Sequence, residues 1–384
     1  MRTVYLDNNA TTAVDPLVVE AMMPFLVEHY GNPSSMHEFG GNVSNAIEKA
    51  REQVASSLGA THPTEIVFTS CGTESDNTAI RSALRSRKSR RRLITTRVEH
   101  PAVLTLARHL EREGYDVTYL PVDGNGNLSL DQLEEEMDEN VALVSMMAAN
   151  NETGVIFPVE KAGRIAHEHG ALFHTDAVQV MGKVPLDLSS GNIDLLSISG
   201  HKIHAPKGIG ALYVRRGCRF RPFLLGGHQE RGRRGGTENV PGIVALGKAA
   251  ELSQAHMNEE RTRVRALRDR LEKSLLAMPD TRLNGDVNRR LPGTTNISFK
   301  NIEGEALLLM LDRKGICASS GSACTSGTLE PSHVLRAMGV PFHFAHGSLR
   351  FSLCRMNNDE EVDFVIEALP PIIERLREIS LFKD

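Results

Sequence analysis

Two rhythms of apolar residues divide the chain. Val43, Ala46, Ile47, Ala50, Val54 and Leu58 recur at spacings of three and four, which puts them on one face of a helix. The run VALVSMM (141–147) is instead short and almost continuously apolar, the mark of a strand buried on both faces. EIVFT (65–69), the segments 93–100 and 116–120, the stretch opening at Phe173 and DLLSIS (194–199) read the same way. Helical spacing lies between them, over 77–84, 102–112, 128–137 and 158–168. Apolar strands alternating with amphipathic helices predict an α/β unit on a mainly parallel sheet covered on both faces.

The ends of this unit read differently. Val4–Leu6 predicts a short strand, DNNATT (7–12) a turn, and Pro16 the start of a helix through Phe25. GIGALYV (208–214) adds a strand with too little chain before it for a crossover helix, so it is expected to run antiparallel. The segment 226–240, GGHQERGRRGGTENV, is rich in glycine and basic at its centre. It is read as outside the core, either disordered or ordered by a partner surface or a phosphate. Helix dominates from Pro241 to Ala277, with a break near His256. Beyond it come a strand at 294–299, a helix at 304–315 closed by Gly315, a strand opening at Ile316 and a helix from Ser332 to Met338. A strand at 346–353 and a last helix from Asp359, striped by Val362, Val365, Ile366, Leu369, Ile372, Ile373 and Leu376, complete the chain. The expected organisation is an N-terminal arm (1–15), a large domain (16–255) and a smaller α/β domain (256–384).

Composition narrows the partners. Apolar residues at 40 % and charged residues at 24 % describe a folded, soluble protein, and 384 residues suffice for two cores. A net charge of −4 gives no reason to expect nucleic acid or an anionic membrane, and the basic run 85–92 reads as solvated surface. MRTVYLDNNATT lacks the apolar stretch of a secretion signal, and no segment is apolar enough for a membrane span. Five cysteines, none in a CxxC pair, argue for a reducing, cytoplasmic setting and against a zinc or iron–sulfur site built into the chain. His201 and His204 stand three apart but have no acid or thiol at ligand spacing, so no metal is expected.

Polar residues gather where strands finish. Ser70–Ser75 turns a strand into a helix through Gly72 and hydroxyl residues, an arrangement that cups an anion. His100, Asn151, Asp176 and Lys202 close four further strands, with Gln179 just beyond the third. Ligands of open parallel sheets sit beyond the carboxyl ends of the strands, so this shared position marks one site. An acid at one strand end and a lysine at the next are what pyridoxal 5′-phosphate needs, the acid for the ring nitrogen and the lysine for the aldehyde.

The blocks YLDNNATT (5–12), GNPSSMH (31–37), FTSCGTES (68–75), EHPAV (99–103), NNETG (150–154), HTDAVQ (174–179), SGHKIHAPKG (199–208), GGHQERGRRGGTEN (226–239), SSGSACTSG (319–327) and HGSLRFSL (346–353) carry a resemblance. The chain resembles, over nearly its whole length, the cysteine desulfurases of the pyridoxal phosphate-dependent class-V aminotransferase family (fold type I), nearest the nitrogen-fixation (NifS) branch. The resemblance implies a large domain on a mainly parallel seven-stranded sheet and a smaller C-terminal α/β domain carrying the catalytic cysteine loop. It implies Lys202 as the lysine joined to the cofactor, and later as acid and base. Asp176 is implied as partner of the ring nitrogen, Gln179 as donor to the phenolic oxygen and His100 as the residue stacked on the ring. Gly72, Thr73, Ser199 and His201 are implied as phosphate ligands, with Thr237 lent by the second subunit of a homodimer. Asn151 and Arg350 are implied as holders of the substrate carboxylate, and Cys324 as the nucleophile.

Such a set converts L-cysteine to L-alanine and leaves a persulfide on Cys324. A sulfur-accepting scaffold protein for iron–sulfur cluster assembly is the implied partner, and nitrogenase maturation the implied destination. Small neighbours (Ser322, Ala323, Thr325, Ser326, Gly327) suit a thiol that moves between substrate and acceptor. A thiol with an ordinary pKa of about 8.5 needs help to ionise, and His100 or His37 is the candidate acceptor of its proton. Selenocysteine lyase, desulfinase and aminotransferase activities share the lysine, acid and histidine and differ in their need for Cys324. A scaffold of the same fold without turnover is disfavoured by the intact set.

Overall fold

The computed structural model describes residues 3–320 and 331–380. Strands β1 (Val4–Tyr5), β2 (Ile66–Thr69), β3 (Arg92–Thr96), β4 (Asp116–Leu120), β5 (Val141–Met147), β6 (Leu172–Asp176), β7 (Leu195–Ser199) and β8 (Gly210–Val214) come first. β9 (Thr281–Leu283), β10 (Thr294–Phe299), β11 (Ile316–Cys317) and β12 (Ser348–Ser352) follow. Seven of them form one sheet in the order β2-β8-β7-β6-β5-β3-β4. β8 runs antiparallel to both its neighbours, as the short connection before it requires, and the other pairings are parallel.

The apolar strand sequences follow from burial on two sides. Ile66, Phe68, Ile94, Val144, Phe173, Leu196, Ala211 and Tyr213 enter one core with the helices Glu38–Leu58, Val159–Glu168 and Val240–Ala255. Their neighbours Val67, Leu93, Leu143, Leu172, Leu195 and Leu212 enter the opposite core with the helices Gly72–Ser86 and Pro101–Arg112. A side-chain period of two divides each strand between the two cores. The same period places His174 and Asp176 on the face of Leu172, and Ser197 and Ser199 on the face of Leu195. The acid at the end of β6 therefore faces the helix Gly72–Ser86.

A third core joins β10, β12 and the helices Arg265–Leu276, Gly304–Asp312 and Asp359–Ile379. β12-β10-β9 form an antiparallel sheet. Val4 and Leu6 belong to this core, because β1 pairs in parallel with β11. The last helix continues through Pro370 and Pro371, and its buried Leu369, Ile372 and Ile373 hold it together across the missing backbone donors. β9 was not legible in the sequence, and the helix expected over Pro16–Phe25 is divided at Met23 between Pro16–Met22 and Pro24–Val27. Among the described residues no helix is long and apolar enough to cross a membrane.

The segment 226–240 departs from the expectation that it stays outside the core. Glu230 is buried, and its carboxylate accepts from Arg51 Nη1 and Nη2, both at 2.8 Å, and from the Phe68 amide at 2.9 Å. Glu230 and Arg231 both take left-handed backbone angles, φ 48° and 58°, which a side chain disfavours by about 1–2 kcal/mol per residue. The three donors on the carboxylate offset that cost. Arg234 then ties the loop to Glu74 in the first turn of Gly72–Ser86 at 2.9 Å. Glu230→Ala leaves the buried Arg51 guanidinium without its buried carboxylate partner, with only the half-exposed Glu48 as counter-ion, and is expected to lower the unfolding free energy by roughly 3–5 kcal/mol in denaturant titrations. A loss below about 1 kcal/mol would show that the loop is not held this way.

Candidate active site

A cavity of about 410 Å³ opens at the carboxyl ends of the strands. Gly72, Thr73, His100, Asn151, Asp176, Gln179, Ser199, His201, Lys202 and Arg350 all line it. Thr237 is exposed and is not in this wall. Cys324 lies outside the described residues. His37 is exposed, caps the helix Glu38–Leu58 through Nδ1 and is also absent from the wall.

Lys202 follows β7 on a single turn, and its Nζ donates to the carbonyls of Asn9 at 2.6 Å and Ala10 at 2.7 Å. Burial, then the charges of Lys183 and Arg350, push its pKa down to about 7 against the pull of Asp176 and Asp7. The amine is thus poised between its two protonation states near neutral pH. Asp176 takes the Val178 amide at 2.9 Å. Burial raises its pKa, opposed by that amide and by Lys202. Asp76 is buried beside it and is raised well above the carboxylate range by burial and by the charge of Asp176. Two acids in one dry place cannot both ionise cheaply, so Asp76 keeps its proton and the floor carries a single negative charge. His174, beneath them, bonds to Ser145 and Ser197 at 2.8 and 3.0 Å, and burial alone holds it neutral.

His100 caps the helix Pro101–Arg112, with Nδ1 accepting from the Ala102 amide at 3.1 Å. Burial and the charges of Lys202 and His333 push its pKa down to about 4. The neutral ring with Nδ1 engaged carries its proton on Nε2. In this state His100 can offer a hydrogen bond from Nε2–H but has no free ring nitrogen to take a proton from a thiol. Arg350, on β12, donates from Nη1 to the Asn151 carbonyl at 3.0 Å and from Nη2 to Asp7 at 2.6 Å.

The wall fits an anion at each end. Ser199 Oγ is buried without a hydrogen-bond partner among the described residues. Cys71 gives the following helix no side-chain cap, so its first-turn amides remain free beside that hydroxyl. A Cβ on Gly72 would come within 2.9 Å of Val178 Cγ2 and would fill the cradle. At the other end Arg350 Nε is buried without a partner among the described residues. With a single buried carboxylate and a lysine between these ends, the cavity suits a phosphorylated pyridine aldehyde and, beside it, an amino-acid carboxylate.

Sequence reading missed Asn9, Asp7, Asp76 and Lys183. Asn9 and Asp7 sit in a run read as a turn, and Asp76 in a segment read as the lead into a helix. The usable signal for Lys183 was its place among apolar residues, VMGKVP (180–185). His201 and His204 diverge, Nδ1 of the first meeting Thr11 Oγ1 at 3.2 Å and Nδ1 of the second the Ala13 carbonyl at 2.9 Å.

Residues 4–365 match the family model "Aminotransferase class-V". A cysteine desulfurase of Trichormus azollae is 64 % identical over 385 residues, covering 100 % of this chain and 96 % of that protein. The cysteine desulfurase NifS of Azotobacter vinelandii is 58 % identical over 381 residues, covering 99 % and 95 %. A solved NifS-like protein superposes with a TM-score of 0.91 at 42 % identity, covering 98 % of this chain and all of that one. The chain therefore belongs to the class-V aminotransferase family of pyridoxal phosphate enzymes, among its NifS-type cysteine desulfurases.

Proposed function

We propose that this protein takes sulfur from L-cysteine onto Cys324, releases L-alanine, and passes the sulfur to a scaffold protein that builds iron–sulfur clusters, in the service of nitrogenase. The cysteine desulfurase activity and the cofactor follow from family membership. The residue roles given below, a homodimer and a cytoplasmic location belong to the same proposal. The similarity to a NifS protein supports the destination. The four described cysteines are free thiols, in keeping with a reducing compartment.

One observation carries the reading: both ends of the segment holding Cys324 are tied beside the cavity. Ser319 exchanges two backbone hydrogen bonds with Arg350, at 2.7 and 3.2 Å. On the far side Ser332 Oγ donates to Glu152, and His333 Nε2 meets the Glu99 carbonyl at 2.9 Å, next to His100. Cys324 stands four residues past Ser320, a reach of at most about 14 Å for extended chain.

Pyridoxal phosphate supplies an electron sink for the pair left when a bond at the substrate α carbon breaks. Gly72 and Thr73 amides, with the Thr73 and Ser199 hydroxyls and His201, would hold its phosphate. Asp176 would hold the ring nitrogen, Gln179 the phenolic oxygen and His100 the ring face. Lys202 would bind the aldehyde and, as a neutral amine, would take the α proton and later return a proton to the α carbon. Arg350 retains a second proton on each Nη and the Nε–H for the substrate carboxylate, with Asn151 beside it. The Cys324 thiolate attacks the substrate sulfur. A sulfur–sulfur bond forms, the carbon–sulfur bond breaks, and its electron pair goes to the β carbon, which is protonated and leaves as part of alanine.

A homodimer is supported by apolar side chains left uncovered at the surface. Leu26, Val27 and Tyr30 are 52 %, 62 % and 72 % exposed, and Leu225, just before the glycine-rich segment, is 82 % exposed. Thr237 is exposed in the same segment and absent from its own cavity wall, so it is available to a second copy.

Cys324→Ala is expected to reduce alanine release from L-cysteine to background; unchanged release would sink the nucleophile. Arg350→Lys keeps the charge and loses the fork, and KM for L-cysteine should rise about 10- to 100-fold. An unaltered KM would count against the clamp. Thr237→Ala should lower cofactor retention after dialysis, whereas a monomer that keeps full cofactor would contradict a shared site.

A further inference from the structure

Lys183 sits behind the cofactor wall, on the turn that follows Gln179. It is 9 % exposed, and no step above uses it. Gly182 fixes the turn: its φ is 73°, and a Cβ there would approach Ser253 Cβ to 2.6 Å on the helix Val240–Ala255. The Lys183 Nζ donates to Gln179 Oε1 at 3.2 Å and to Asn9 Oδ1 at 3.3 Å.

An ammonium only donates, so each amide must turn its oxygen toward it and its nitrogen away. The Gln179 Nε2 consequently faces the Asn9 carbonyl at 2.9 Å, the same oxygen that receives Lys202. The Asn9 Nδ2 faces the Asn151 carbonyl at 3.1 Å, the oxygen that also receives Arg350, and Thr294 Oγ1 at 3.0 Å. A single buried cation thereby sets two amides that reach the lysine and the arginine of the site.

We propose that Lys183 is a positioning residue for the reaction: it locks the Gln179 and Asn9 amides in their working orientation, and its positive charge disfavours a second positive charge on the Lys202 nitrogen. This rests on the reading of Lys202 as the cofactor lysine. Burial pushes the Lys183 pKa down to about 8, the Glu260 carboxylate and Cys354 pull it up, and Arg350 adds to the lowering. Glu260 is itself buried and takes the Arg355 amide at 2.8 Å. His204, His256 and Arg355 complete the charged or titratable groups lining the small cavity shared by Lys183, Lys202, Cys354 and Glu260. For Lys202 the charge of Lys183 is the largest cause of lowering after burial itself. Removing a neighbouring positive charge stabilises the protonated form, so the Lys202 nitrogen should hold its proton to higher pH.

The test is a pH titration of the holoenzyme's visible absorption, which follows protonation of the nitrogen joining Lys202 to the cofactor. Lys183→Met is expected to move the midpoint up by about one pH unit, a tenfold gain in proton affinity. Lys183→Gln, which keeps a polar group in the same place, should move it in the same direction and serves if the first variant does not fold. An unmoved or lowered midpoint overturns the proposal, including the case where thermal stability falls while the midpoint stays. Lys202→Ala separates the two readings: a protein-linked visible band that survives in it defeats the assignment of Lys202, whereas an unmoved midpoint in the Lys183 variants defeats only this one.

Discussion

The two sheets that build the site meet at Asn9. Its amide nitrogen donates to Ser352 Oγ at 2.8 Å and its side chain to Thr294, both from the three-stranded sheet. Its carbonyl receives Gln179 and Lys202, and its side-chain oxygen receives Lys183, all from the turns beyond the large sheet. A buried polar group must find such partners or lose about 1–3 kcal/mol, so the position of Asn9 is over-determined. The lysine and the arginine of the site lie on different sheets and are brought into register through this one residue and the Asn151 carbonyl next to it.

The electrostatics follow from the same enclosure. Low dielectric lets one charge act strongly on the next, and it penalises two charges of one sign. Asp76 answers by keeping its proton beside Asp176, and Lys202 by giving its proton up more readily beside Lys183 and Arg350. Those responses produce what proton transfer at an amino acid's α carbon requires, a neutral amine and a single ionised acid at neutral pH.

The large sheet was legible because burial on both faces writes itself into continuous apolar runs such as Val141–Met147. Asp176 and Lys202 were legible because strand ends of a parallel sheet have a defined use. Asn9, Asp7 and Lys183 were not. Apolar periodicity reports where hydrocarbon is buried, and a buried amide or ammonium has no period; its partners lie as far away in sequence as Ser352 is from Asn9. Glu230 escaped for a related reason, since one buried carboxylate anchors a segment that is otherwise glycine and arginine. β9 spans three residues, too few to show an alternation.

We propose that the cavity serves to deliver sulfur to Cys324. Single-turnover reaction of the holoenzyme with L-cysteine, followed by alkylation, digestion and mass spectrometry, tests it directly. One added sulfur atom is expected on the peptide carrying Cys324, in proportion to the alanine formed. Alanine formed with the extra sulfur on another cysteine, or with no sulfur retained on the protein, would contradict it.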